Sequence, residues 1–385
     1  MAQHPANSSG PLAGIRILEV GHILAGPFGG MLLADLGADV IKIEPIDGDL
    51  SRQVGSHFVG DHNVYFASLN RSKRSVHIDL TTGEGKAELG ALAKTAHALL
   101  VNLRPSTIRK LGLDYESLRQ YNPKIVCVAL TGYGLDGPAA ESPAFDYVIQ
   151  AITGVAALTG EPDGPPTLAG YSAVDNSSGI MAALGLVAKV LEGRGGQVDI
   201  SLFDVMLSQL NYKAAAYLNG GGAPIRHPLG AHAFYVPAQL FRTKSGYLAL
   251  FVTRDESWRL LCAEIGHPDW VDDPRFATMH ARFDNREELL GALTACLETA
   301  SAVEWEERLR PLGITVGAVT DLGKALDGEL VRSRGTVVSV DTGDGPLRLI
   351  GSPIRLDDAQ PEYRAPPRLH EHTSELHSGS AERGL

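Results

Sequence analysis

Short apolar strands alternate with helical stretches over the first 131 residues, and that alternation limits the possible folds more than any other feature. Residues 15–20 (IRILEV) read as a strand, 21–30 (GHILAGPFGG) as a glycine-containing loop, 31–36 as a short helix and 38–43 (ADVIKI) as a second strand. Further strands are expected at 98–102 (ALLVN) and 124–130 (KIVCVAL), with helices at 81–95, 108–111 and 113–120. Thr81 or Thr82 caps the 81–95 helix in this reading, with Glu84 in its first turn. Strand–helix–strand units join parallel strands through right-handed crossovers, so the fold expected is α/β, with a doubly wound, Rossmann-like large domain. Ligands of such sheets bind beyond the carboxyl ends of the strands, where His22, Asn102 and Thr131-Gly132 fall. A dinucleotide site is a rival reading, with Glu44 as the ribose acid, but GPFGG departs from G-x-G-x-x-G.

The pattern changes after residue 218. Asn219-Gly220-Gly221-Gly222 breaks the helical run, so 219–225 reads as a linker. Residues 226–326 mix strands, a turn at Lys244-Ser245-Gly246 and helices at 256–265, 286–299 and 302–309, which describes a smaller α+β domain. Strand and turn composition returns at 335–354. Hydrophobic residues make up 44% and charged residues 21%, a globular profile. A net charge of −11 argues against general nucleic-acid binding, which needs many phosphate contacts from Lys and Arg. Cys127, Cys262 and Cys296 lack metal spacing, and their odd number suits a reducing cytoplasm. No signal peptide is visible, and no uninterrupted apolar run is long enough for a bilayer. The expected protein is therefore cytoplasmic, with no membrane partner. His370-Glu371-His372 reads as a solvated tract rather than a metal site, so no metal is expected.

Two stretches carry candidate chemistry. In 168–193 (LAGYSAVDNSSGIMAALGLVAKVLEG) a loop meets one acid, Asp175, ahead of a nearly uncharged helical run at 180–191. The helix dipole and free N–H groups favour an ionised carboxylate there. Asp175 is thus either an N-cap or a nucleophile. In 70–79 (NRSKRSVHID), Arg71, Lys73 and Arg74 form the most basic patch of an acidic chain. That patch is either a solvated turn or an anion site for a phosphorylated ligand.

Ordered motifs on both sides of Asp175 resemble those of the family III CoA-transferases, which include formyl-CoA:oxalate, carnitine and bile-acid CoA-transferases and the α-methylacyl-CoA racemases. They are RILEVGHILAGPFGGMLLADLGADVIKIEP, GD with Arg52, NRSKRSVHIDL, ALLVNLRPSTIRKLGLDY, TGYGLDGP, FDYVIQAITG, LTGEPDGPPTLAG, VDNSSG and GGQVDISLFD. Echoes continue as VPAQLFRTKSGYLAL, DDPRF and RLHEHT.

The resemblance implies that Asp175 attacks an acyl-CoA, passing through a mixed anhydride and an aspartyl-CoA thioester before CoA moves to an acceptor acid. It implies CoA as a substrate rather than a permanently bound cofactor, held by His22, Ile23, Leu24, Ala25, Ile78, Asn102, Leu103 and Lys110. Arg71, Lys73, Arg74 and Arg104 join them on grounds of charge. Also implied are an interlocked, ring-like homodimer, a second linker at 327–335, and a C-terminal segment (336–385) returning to the large domain. A mobile lid is placed at 230–234, though this stretch is less glycine-rich than in relatives that have one.

Pro45 stands where formyl-CoA:oxalate enzymes carry Arg, Leu24 where they carry Gln, and Gln53-Val54 where they carry Gly-Trp. Those departures point away from oxalate towards a larger dicarboxylate such as succinate, itaconate or mesaconate. The racemases place a His before the acid at position 146, and this chain has Phe145, so a two-base racemase is the rival within the family. Asp146 then reads as a cap or an orienting residue.

Overall fold

The structure, a computed structural model, describes residues 10–357 and 361–375. The start of the leader and the end of the polar tail lie outside the described residues. The chain divides into two units: Met1–Thr153, Ala169–Ala215 and Glu329–Leu385 in the first, Gly154–Leu168 and Ala216–Gly328 in the second.

The first unit is built on six parallel strands, β1 (Arg16–Val20), β2 (Asp39–Glu44), β3 (Arg74–His77), β4 (Ala98–Val101), β5 (Val126–Thr131) and β6 (Gly196–Ser201). Their spatial order is β3-β2-β1-β4-β5-β6, the doubly wound arrangement. The chain reverses its direction of travel between β1 and β4, which opens a crevice at their carboxyl ends. Alternate residues point to opposite faces of the sheet. Leu18, Ile41, Val76, Leu99 and Cys127 pack with Leu89, Ile108 and Leu118, from helices α2 (Gly83–Ala93), α3 (Pro105–Leu111) and Tyr115–Leu118. Both faces of the sheet are covered, which is why its four inner strands are almost wholly buried.

Two helices begin earlier than their sequences suggest. α1 spans Ala25–Asp35, so most of the expected glycine loop is helical. Pro27 is tolerated because it lies in the first turn. Gly26, Gly29 and Gly30 are there for space: a Cβ on Gly29 would lie 2.7 Å from the Gly179 carbonyl oxygen, and one on Gly30 would lie 1.9 Å from Glu19 Oε2. α5 spans Ala173–Glu192, absorbing the polar run after Asp175. The two helices cross at Gly29 and Gly179, and a Cβ on Gly179 would meet the Ala25 carbonyl oxygen at 2.6 Å. By length and composition α5 could cross a membrane, a property that Asn176 to Gly179 conceal in the sequence. Here it packs on α1 and on the sheet, where Gly185 lies beside Val198 and Ile200.

The C-terminal segment runs along the β3 edge. The His372 N–H donates to the Ser75 carbonyl at 2.9 Å, and the His77 N–H to Thr373 Oγ1 at 2.9 Å. An edge covered in this way offers no free ladder to another chain.

The second unit has an antiparallel sheet of Ala238–Arg242, Tyr247–Phe251 and Thr315–Ala318. Helices Asp255–Glu264, Arg286–Leu297 and Ala302–Leu309 contribute Trp258, Leu293 and Trp305 to its core. Residues 154–168, expected in the large domain, cluster with this unit, and Arg226 Nη1 donates to the Gly164 and Pro165 carbonyls at 2.9 Å. The expected second linker contains the helix Glu329–Arg334.

Candidate active site

The loop leaving β1 is held at successive backbone groups. Asn102, just beyond β4, accepts the His22 N–H at 3.2 Å and donates to the His22 carbonyl at 3.1 Å, continuing the β1–β4 ladder with a side chain. Gly21 and Gly26 make room for it, since a Cβ would come within 1.8 and 2.6 Å of Asn102 Oδ1. Ile23 is left-handed, with φ +68°. For a β-branched residue such a backbone costs roughly 1–3 kcal/mol and persists only where its surroundings enforce it.

Asp49 supplies that enforcement. Its Oδ1 accepts the Ile23 N–H at 3.1 Å together with the Ser51 N–H and hydroxyl, and its Oδ2 pairs with Lys42 at 2.7 Å. Lys42 also donates to the Gly21 carbonyl and to Glu19. Burial alone would raise the Asp49 carboxyl, but Lys42 and the two N–H groups hold it down at about 2.

Asp175 occupies the third position of α5 and does not cap it. The capping is done by Asp146, the first residue of α4 (Asp146–Ile152). Its Oδ2 accepts the N–H groups of Val174 at 2.8 Å and Asp175 at 3.1 Å. Gln150 fixes Asp146 by donating to Oδ1 at 2.6 Å, and accepts the Ala169 N–H in turn. The Ala173 and Asn176 N–H groups go to the Tyr171 and Ser172 carbonyls. The N–H groups of residues 173–176 are therefore all used, and none of them is left as an oxyanion donor beside Asp175. At the head of α1, by contrast, the N–H groups of Leu24, Ala25 and Gly26 find no acceptor among the described residues.

The expected ionisation of Asp175 is also corrected. Burial, reinforced by the negative charge of Asp146, pushes its carboxyl up to about 7. Burial likewise lowers His22, an effect partly offset by the charge of Asp49.

A cavity of about 390 Å³ opens at the carboxyl ends of β1, β4 and β5. Of the residues singled out in the sequence, His22, Ile23, Leu24, Ala25, Asn102, Leu103, Arg104 and Asp175 all line it. The others are elsewhere. Arg71 is buried in a bidentate pair with Asp35 and also donates to the Ile350 carbonyl. Lys73 is buried against Glu19, the Pro27 carbonyl and Asn70. Arg74 is paired with Asp39, and Ile78 is packed in the core. The basic patch is thus neither a solvated turn nor an open anion site, because acids on α1, β1 and β2 draw its cations inward. Lys110 is exposed on α3, outside the cavity wall. Arg104 is the one Arg or Lys among the described lining residues.

Sequence reasoning missed Tyr65 and Asp49, whereas Asp146, read as a cap or an orienting residue, does cap, though the helix it caps is α5. Burial and the charges of Asp175 and Asp49 raise the Tyr65 phenol. Phe145 lines the cavity where a racemase would need an imidazole. Glu44 is taken up by Arg52, Ser75 and the Asp49 N–H, which removes the acid that a dinucleotide ribose would need.

The CoA-transferase family III profile matches residues 12–373. The acetyl-CoA:oxalate CoA-transferase of Acetobacter aceti is 32% identical, with 97% of this chain and 96% of that protein covered. The succinate–glutarate CoA-transferase of Agrobacterium fabrum is 34% identical, with 96% of each covered. Among solved structures, a CAIB/BAIF family protein from Brucella suis superposes with a TM-score of 0.84 at 31% identity, over 96% of this chain and 99% of that one. Rv3272 from Mycobacterium tuberculosis gives a TM-score of 0.85 at 31% identity, with the same coverage. With a Rossmann-ordered sheet, a cavity at its switch point and a carboxylate at the cavity wall, the chain belongs to CoA-transferase family III, and it is a CoA-transferase.

Proposed function

We propose that the protein transfers CoA from an acyl-CoA to a short dicarboxylic acid through covalent intermediates on Asp175. The placement of this one carboxylate in a cavity wall shared with Leu24 and Ala25, whose N–H groups find no acceptor among the described residues, supports the reading. Asp175 attacks the thioester carbonyl, forming a mixed anhydride and expelling CoA thiolate. The thiolate attacks the aspartyl carbonyl of the anhydride, releasing the donor acid and leaving an aspartyl-CoA thioester. The acceptor carboxylate attacks that thioester, CoA thiolate leaves again, and it then attacks the acceptor carbonyl of the new anhydride to restore Asp175. Each step exchanges one acyl–oxygen or acyl–sulfur bond for another, which divides one difficult exchange into easier ones. The Leu24, Ala25 and Gly26 N–H groups are the donors for the tetrahedral oxyanions.

The acyl-CoA lies along the carboxyl ends of the strands, with Arg104 as its nearest cation in the cavity wall. The acceptor is assigned as a four- or five-carbon diacid because relatives at similar identity act on succinate and glutarate or on mesaconate. A relative named for oxalate is as similar, so Leu24 and Val54 do not decide the chain length alone. Phe145 favours transfer over racemisation, which needs a base on each face of the α-carbon.

The enzyme acts as an interlocked, ring-like homodimer. Exposed Ile180, Leu184 and Leu191 on α5 support the pairing of two chains. It works in the cytoplasm, a placement that its three free cysteines support.

The test is incubation of wild type and Asp175→Ala with acyl-CoA donors and a panel of oxalate, succinate, glutarate, itaconate and mesaconate. Product masses and the mass of the tryptic peptide containing Asp175 are read out. A CoA adduct on that peptide and loss of transfer in Asp175→Ala are expected. Full transfer by the variant would overturn the nucleophile.

A further inference from the structure

A buried line of four alternating charges runs beneath the head of α1. Asp49 pairs with Lys42 at 2.7 Å, Lys42 with Glu19 at 2.9 Å, and Glu19 with Lys73 at 2.7 Å. The side chains of Lys42, Glu19 and Lys73 are wholly inaccessible, as is that of Asp49. Such a cluster is costly to bury, and its net contribution to stability is small.

It holds three backbone groups of the loop and of the first turn of α1. Lys42 holds the Gly21 carbonyl at 3.0 Å, Asp49 the Ile23 N–H at 3.1 Å, and Lys73 the Pro27 carbonyl at 2.7 Å. Asp49 cannot drift, because its own N–H donates to Glu44 Oε2 at 2.8 Å and Ser51 bonds the oxygen that receives Ile23. The line therefore brackets the left-handed residue, with Lys42 before it and Asp49 upon it. Immediately beyond Ile23 lie Leu24, Ala25 and Gly26, whose N–H groups find no acceptor among the described residues. Released from Asp49, Ile23 would relax towards φ < 0, where β-branched residues are at ease, and the direction of those N–H groups would change.

We propose that Asp49 is a positioning residue for CoA transfer, acting by holding Ile23 in its left-handed conformation so that the N–H groups of Leu24, Ala25 and Gly26 face the reacting carbonyl. The inference rests on the assignment of this cavity as the site of CoA transfer, and it does not depend on which group is the nucleophile.

The test is a double-mutant cycle between Asp49 and Ile23, read as kcat and KM for CoA transfer per folded molecule. Asp49→Ala should lower kcat by roughly 10²-fold, the scale of a misplacement of about 1 Å. Glycine adopts positive φ without strain. Ile23→Gly in the wild-type background should lower kcat a few-fold by freeing the loop, whereas in the Asp49→Ala background it should raise kcat by about tenfold. That reversal of sign separates positioning from a merely structural role, because lost fold stability would not be repaired by a glycine. Unchanged kcat and KM in folded Asp49→Ala would overturn the proposal, and so would the absence of recovery in the folded double variant. If Asp49→Ala does not fold, the same cycle is run on Asp49→Asn, with the same reversal expected and the same two results against it. Asp175→Ala is assayed in parallel: its retention of activity would remove the nucleophile and leave the outcome of the Asp49–Ile23 cycle intact.

Discussion

The carboxylate of Asp146 receives the backbone N–H of Asp175 at 3.1 Å, and its charge helps to raise the carboxyl of the same residue. One acid thus fixes the position of the other and makes it harder to ionise.

If Asp175 must be ionised to attack, kcat/KM reports its protonation in the free enzyme. With its carboxyl at about 7, kcat/KM should rise with pH through neutrality and level off above it, lying roughly tenfold below the plateau at pH 6. Asp146→Asn removes the like charge and keeps an amide oxygen for the helix. It should move the acidic limb to lower pH, as a pH–rate profile of both proteins would reveal.

The same shift has a consequence for folding. A carboxyl raised from 3.8 to about 7 binds more protons folded than unfolded between those limits. Stability from this group is therefore complete below pH 4, falls as pH rises to about 7, and is constant above. Asp175→Asn lacks the penalty. Its melting temperature should exceed that of wild type at pH 8, with the gap closing as pH falls to 4, in paired thermal melts.

The crossing of α1 and α5 leaves no room at Gly179. A Cβ there would lie 2.6 Å from the Ala25 carbonyl oxygen, and a backbone atom cannot swing aside. Gly179→Ala should destabilise the protein by about 1–3 kcal/mol in urea titration. It should also lower kcat of the folded fraction by tenfold or more, because Asp175 lies one turn from the crossing.

The two arginines assigned alike in the sequence should behave differently. Arg71→Ala leaves Asp35 buried without its partner and should cost about 3–5 kcal/mol of stability, with KM for acyl-CoA unchanged in the folded fraction. Arg104→Ala should leave the melting temperature near that of wild type and raise KM for acyl-CoA roughly tenfold, the scale of one charge-assisted hydrogen bond. Steady-state kinetics beside thermal melts would separate them.

Local periodicity was enough to indicate a doubly wound parallel sheet and to place its carboxyl ends, though not to give its strand order. Apolar runs such as KIVCVAL demand burial on both faces, and alternation with helices leaves few topologies for parallel strands. Motif order located Asp175 and the loop from His22 to Ala25. What sequence could not carry was the direction of the charges. Arg71, Lys73 and Arg74 look like a surface patch because their partners, Asp35, Glu19 and Asp39, lie far away in the chain and meet them only when the strands pair. Helix starts escaped for a related reason: glycines that read as a loop at 21–30 are the contact surface of α1 with Asn102, Glu19 and α5.

The sequence by itself determined the α/β class and the family and singled out Asp175 as the candidate nucleophile, because these follow from residue type, spacing and order. The tertiary structure decided that Asp146 caps α5, that Asp175 is raised to about 7, and that Asp49 restrains Ile23. Each depends on burial or on a contact between distant residues, and neither exists before the chain has folded.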